Sequence, residues 1–265
     1  MGTPILLPPT PYSRLLPTDS VRRAVASALP PAIGLKNWRL VYSTSRDGTS
    51  YQTLRSRCQE YNVAQELGVS YKPELIGQRH SMASLNAIAH VGLGGFQSST
   101  SSMPTSSSYP VLFVVRDDRG AVFGCFASGG VRLCPHYTGT GESFVFSAGT
   151  LAPANSKTTL HACTSTNTSP ASIYDSSSPK CPQSSQVKIF PWTQENHFFA
   201  SMNLSSISFG GGNSSASGAA IWIDASLSRG FSGPCDTFGN QDTLASRGSF
   251  DILDIEIWGF DCDFQ

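Results

Sequence analysis

Few side chains in this sequence have the type and setting that chemistry needs. Cys125 lies in Phe123-Gly124-Cys125-Phe126 and Cys235 follows Gly233-Pro234. A thiol attacks as its thiolate, so a redox role asks for an exposed sulfur beside a cation, and neither cysteine has one adjacent in sequence. Cys125 also sits in the densest apolar run. Both are weak redox candidates and read better as buried, inert thiols. Glu142 with Asp224 or Glu256 could form a carboxylate pair for acid–base work or a hard-cation site. A carboxylate just beyond a strand more often holds the backbone N–H groups of a neighbouring loop.

The turn Gly139-Thr140-Gly141-Glu142 suggests a phosphate cradle, because closely spaced glycines free backbone N–H groups to face an anion. It lacks the Lys of a P-loop and the third glycine of a dinucleotide fingerprint, and a strand rather than a helix follows it. It reads instead as a tight turn that presents Glu142 at a rim. Gly210-Gly211-Gly212 suits a bulge or close backbone approach, with a flexible rim loop as its functional reading. His80, His90, His136, His161 and His197 show no paired ligand spacing, and Cys134-Pro135-His136 is a half-site without a second half. Ser232 lacks the G-x-S-x-G elbow. No catalytic residue, cofactor or metal is expected.

The elements that must position these residues are mainly strands. Val111–Arg116 and Ala121–Ser128, joined by Asp117-Asp118-Arg119-Gly120, predict an antiparallel hairpin. Both runs are apolar at nearly every position, so the hairpin should be central and covered on both faces. Further strands are expected at Trp38–Tyr42, Ser143–Ser147, Val187–Phe190, His197–Met202, Ile207–Phe209, Ala220–Asp224 and Phe250–Trp258. In the last, Leu253, Ile255 and Ile257 should point one way and Asp254 and Glu256 the other. Helices are expected over Ser20–Leu29 and after a cap at Thr49 or Ser50, with Tyr51, Leu54, Cys58 and Tyr61 near one face. Trp222 and Trp258 should fill the core between sheets. The fold class is therefore α+β, mainly β: a two-sheet antiparallel β-sandwich flanked by helices, with Ser-rich loop insertions.

Composition narrows function further. The chain of 265 residues carries 18 Lys plus Arg against 18 Asp plus Glu, with no basic cluster beyond Arg22-Arg23, which argues against nucleic acid as a partner. Its seven cysteines form an odd set without C-x-x-C spacing, against a disulfide framework or zinc ribbon. No apolar run reaches the roughly 18 residues that span a bilayer, so no membrane insertion is expected. The chain reads as a cytoplasmic monomer, and the acid-free start with Arg14 gives a mitochondrial destination only weak support. Residues 1–18 should be a poorly ordered segment, and 19–265 one domain with insertions near 62–109 and 148–186. Ser98–Ser108 and Ala148–Gln186, rich in Ser and Thr, bury too little surface to offset their ordering entropy.

Read in order, Trp38–Ser43 before Asp47-Gly48, Phe123–Ser128, Gly139–Phe144, Trp192-Thr193 with Asn196 and Phe199, Phe209–Gly212, and Ile221–Asp224 make a series. Gly230 with Ser232, Cys235, Thr237-Phe238 and Asn240 continues it, and Ile255–Gly259 completes it. This order resembles the TLDc domain of oxidation-resistance proteins over about Leu29 to Gly259. The resemblance implies a β-sandwich flanked by helices, protection against oxidative stress, and binding to peripheral subunits of the vacuolar-type proton ATPase at the surface of acidic organelles. The partner-facing residues would be Gly139, Thr140, Gly141, Glu142, Gly210, Gly211 and Gly212. The long segments Tyr61–Tyr109 and Ala148–Gln186, and Gly129-Gly130 where an aromatic residue is often found, depart from the pattern. With neither a lysin-motif nor a TBC segment, the chain would be a stand-alone member. A thiol-dependent antioxidant using Cys235 or Cys125, and a signalling adaptor recruited through the Ser-rich insertions, are the competing readings.

Overall fold

A computed structural model describes residues 13–16, 18–72, 108–150, 187–212 and 218–261. The expected insertions lie largely outside these residues. Two helices precede the first strand, α1 (Asp19–Ala28) and the single turn α2 (Pro31–Gly34), which Pro30 and Pro31 set off. Strand β1 (Asn37–Ser43), the short α3 (Thr44–Asp47) and α4 (Tyr51–Glu66) follow. The Ser50 hydroxyl caps α4 by accepting from Thr53 N at 3.2 Å, and Tyr51, Leu54, Cys58, Tyr61 and Ala64 line its buried face. This helix ends at Glu66, so its last five residues lie within the segment expected as the first insertion.

All pairing among the remaining strands is antiparallel. They are β2 (Val111–Asp117), β3 (Ala121–Ala127), β4 (Phe144–Thr150), β5 (Lys188–Pro191), β6 (Ala200–Met202), β7 (Ser206–Phe209), β8 (Ile221–Asp224), β9 (Arg229–Phe231) and β10 (Ser249–Asp261). One sheet runs β5-β4-β3-β2-β10-β1 and the other β10-β9-β8-β7-β6, so β10 belongs to both. Its first residues, Ser249–Asp251, pair with β9, and its later ones pair with β2 and β1. The register slips between Ile252 and Asp254, a bulge where the strand passes from one sheet to the other. Leu253 occupies that bulge and is 58% exposed, so it does not share the face of Ile255 and Ile257, which are fully buried.

Alternation along the central hairpin sorts its apolar residues into two layers. Phe113, Val115, Phe123 and Cys125 face the other sheet, where Phe113 meets Phe209 at 5.2 Å and Phe123 meets Phe250 at 5.1 Å between ring centroids. Leu112, Val114, Val122 and Phe126 face outward, beneath Val21 and Val25 of α1 and Ile33 of α2. The hairpin is thus covered on both faces, as its nearly unbroken apolar pattern predicts.

The Asp254 and Glu256 side of β10 is buried too. Asp254 accepts from Thr44 Oγ1 and from Arg116 at 3.4 Å, and Glu256 lies beside Trp258 in the outer layer. Trp258 therefore packs beneath α1 rather than between the sheets. Trp222 is 37% exposed on the outer face of the second sheet, opposite Phe231 of β9. Strand β9 escapes a sequence reading because it is three residues centred on Gly230, where a β-carbon would meet the Phe250 ring at 2.4 Å.

Residues 1–12 and 17 of the segment expected to be poorly ordered lie outside the described residues, and residues 13–16 pack against the domain. Leu15 and Leu16 are fully buried in the outer layer, Ser13 is buried, and Arg22 Nη1 donates to Leu16 O at 3.0 Å. Among the described residues no helix is long and apolar enough to cross a membrane.

Candidate functional site

The turn Gly139–Glu142, between β3 and β4, is held from several sides. Gly139 adopts φ +127°, open to glycine alone at little cost. Gly141 packs flat against Trp192, whose ring would lie 2.3 Å from an added β-carbon. Thr140 N donates to Ser128 Oγ at 2.7 Å, and Ser128 Oγ lies 2.8 Å from the buried Ser143 Oγ. Glu142 N reaches Thr140 Oγ1 at 3.3 Å, which leaves the Glu142 side chain exposed at the tip.

Trp192 connects this turn to motifs distant in sequence. Its Nε1 donates to Asn196 O at 2.7 Å, and its ring lies 5.4 Å from Phe199 and 5.3 Å from His197. Asn196 Oδ1 accepts from the buried Thr237 Oγ1 at 2.6 Å, and Thr237 Oγ1 in turn accepts from Gly211 N at 2.9 Å. Cys235 Sγ donates to Gly211 O at 3.4 Å and lies 2.5 Å from the position a Gly210 β-carbon would take. The turn, Trp192, Asn196, Gly210-Gly211, Cys235 and Thr237 therefore form one connected region. Gly210 and Gly211 are buried in it and act as tightly packed junctions rather than a flexible rim; Gly212 is half-buried.

The three carboxylates are not brought together. Asp224 closes the β8–β9 turn, accepting from Ser226 Oγ at 2.7 Å and from Ser228 N and Arg229 N at 3.3 Å. Glu256 accepts from Arg14 N at 2.6 Å, Ser13 Oγ at 3.0 Å and Trp258 Nε1 at 3.1 Å. Burial raises its carboxyl above the usual range, and those three donors pull it back in part. Both residues serve as ties to a neighbouring segment. Asp117 does the same at the hairpin turn, accepting from Ala121 N at 2.8 Å and Ser246 N at 2.8 Å. That role was invisible in the sequence, where Asp117 reads only as a turn residue. Among the described residues no three His, Cys, Asp or Glu side chains gather as a metal site would need.

Of the described thiols, Cys58, Cys125 and Cys235 are buried. Cys125 is fully enclosed, and burial followed by the neighbouring Cys235 pushes its pKa well up; burial raises Cys58 to about 12. Because the thiolate is the reactive form, N-ethylmaleimide at pH 8.5 should label the half-exposed Cys134 of the native protein and leave Cys58, Cys125 and Cys235 unmodified. Peptide mass spectrometry of the labelled chain reads this directly. Labelling of Cys125 or Cys235 at the rate of Cys134 would show that the core opens readily.

Oxidation resistance protein 1 of Homo sapiens is 29% identical over 249 residues, 94% of this chain and 19% of that protein. Nuclear receptor coactivator 7 of Homo sapiens is 27% identical over 251 residues, 95% of this chain and 18% of that protein. The chain thus spans about a fifth of the length of these curated relatives. The sequence profile described as "TLDc domain" matches residues 95–261, from before the central hairpin to the end of β10. With the connected glycine, tryptophan and threonine motifs lying inside that span, the chain belongs to the TLDc domain family.

Proposed function

We propose that this chain is a non-enzymatic interaction module that binds peripheral subunits of the vacuolar-type proton ATPase, regulates its assembly or activity, and so contributes to resistance against oxidative stress. The observation that carries the reading is the division of labour in the site. Asp224 and Glu256 are committed to holding backbone, and Cys125 and Cys235 are buried, whereas Glu142 stands exposed on a turn fixed by Ser128, Ser143 and Trp192. A rigid, exposed turn loses little entropy on docking, which suits recognition. The stress role is supported by likeness to proteins named for oxidation resistance, and the pump by the TLDc resemblance. A domain that prefers one assembly state of the pump shifts the pump toward it by linkage.

The test is affinity capture of purified peripheral pump sector by the full chain. Binding is expected, with the amount of assembled pump changed, and Glu142→Ala should weaken it by about threefold to tenfold, as for a charge at a binding rim. Absence of binding by a correctly folded chain would remove the pump reading.

A further inference from the structure

Beside the glycine turn, the segment Val131–Thr138 lies along the free edge of β6. Cys134 N donates to Met202 O at 3.1 Å, Thr138 N to Ala200 O at 2.7 Å, and Ala200 N returns a bond to Thr138 O at 3.1 Å. Cys134 and Thr138 are therefore clamped to the sheet, which displays Pro135, His136 and Tyr137 between them, with Arg132 and Leu133 just before the first clamp, at little ordering cost on contact. Those residues are apolar for an exposed loop: Leu133 is 39% and Tyr137 43% exposed, with Pro135 and His136 also exposed. The Tyr137 ring packs on Phe198 with centroids 4.8 Å apart, and Phe198 in turn rests against Gly211.

Charge identifies what fits there. Gly129–Thr138 contains Arg132 and His136 and no acid. Six other arginines, Arg22, Arg39, Arg46, Arg57, Arg116 and Arg247, are in ion pairs. Arg132 is half-buried and has no ion pair among the described residues, and its buried Nε finds no acceptor there. The crevice between this segment and β6–β7 has no room for a water molecule, so a ligand must meet the guanidinium from the solvent side.

We infer that Arg132, Leu133, His136 and Tyr137, with Phe198 behind them, form a docking surface for an acidic protein segment that carries an aromatic or large apolar side chain. A carboxylate of the partner meets Arg132, where the planar guanidinium favours paired hydrogen bonds, and the apolar side chain packs beside Tyr137. This goes beyond the pump reading and does not depend on it, because failure of the pump sector to bind would leave this surface intact.

Fluorescence anisotropy tests it with the full chain and a labelled random copolymer of glutamate and tyrosine. Polyglutamate, a lysine–tyrosine copolymer and phosphatidylserine vesicles serve as competitors. The glutamate–tyrosine copolymer should bind about tenfold or more tighter than either other polymer, and vesicles should not displace it. Arg132→Gln and Tyr137→Ala should each weaken binding by about tenfold, the loss typical of a central interface residue, with thermal unfolding unchanged. Arg229→Gln, on the β9 strand of the other sheet, should leave it unaltered. Equal binding of polyglutamate or the lysine copolymer would overturn the proposal. So would displacement by vesicles, or an equal loss in Arg229→Gln.

Discussion

Replacing Glu256 with alanine is expected to release the N-terminal segment and lower stability by at least about 3 kcal/mol. The carboxylate is 1% exposed and is the acceptor for Ser13 Oγ, Arg14 N and Trp258 Nε1. If the segment stays in place, the buried Ser13 Oγ and Trp258 Nε1 and the part-buried Arg14 N lose their acceptor, at about 1–3 kcal/mol each. If it peels away, Leu15 and Leu16, both fully buried, return to water at about 1.5–3 kcal/mol each. The two routes cost similar amounts, and peeling becomes the easier one once loosened donors can be hydrated. Burial disfavours the charged Glu256 carboxyl, so the loss is expected from orphaned donors and uncovered leucines rather than from the charge itself. Trypsin should then cut after Arg14 faster than in the unmodified protein, and tryptophan emission should move to longer wavelength as the layer over Trp258 opens. Unchanged cleavage and an unchanged melting temperature would refute the latch. Ser13→Ala removes one of the three donors and should cost only about 1 kcal/mol.

Gly124→Ala should also be strongly damaging, although it adds a single methyl group. Gly124 sits in mid-strand on β3, paired with Val114 of β2 on one side and Phe146 of β4 on the other. An added β-carbon would stand 2.1 Å from the Phe113 carbonyl oxygen and 2.8 Å from the Phe146 ring. A ring can swing aside, but this carbonyl belongs to a strand fixed by β3 and β10. Overpacking a core costs about 1–3 kcal/mol and occasionally more, and a backbone obstacle places this substitution at the top of that range. For a protein of this size the melting temperature should fall by on the order of 10 °C. A fall of less than about 2 °C would mean that β2 and β3 separate without loss.

Much of this architecture is legible in the residues. Val111–Arg116 and Ala121–Ser128 are apolar on both parities, and a strand with two apolar faces must be covered twice. The cap at Ser50 and the spacing of Tyr51, Leu54, Cys58 and Tyr61 define α4 for equally local reasons. The burial of Cys125 follows from its neighbours alone. The motif order Gly139–Glu142, Trp192, Gly210–Gly212 and Cys235 is a property of the sequence as well, and it marks the family.

What these motifs build was decided by long-range contacts. Nothing local tells that Trp192 lies on Gly141, or that Thr237 joins Asn196 to Gly211, because each bond spans tens of residues. Alternation in β10 separates Glu256 from Ile255, yet local pattern cannot say that the polar side is covered by the segment from Ser13 to Leu16. Nor can it place the bulge at Leu253, which arises because β10 must leave one sheet for the other. The sequence determined which strands and helices form and which residues each turns to a common side, because propensity and periodicity act over a few residues. Only the tertiary structure decided what covers each face, and with it which carboxylates are ties and which turn stays exposed, because burial depends on what the chain returns to lay against it.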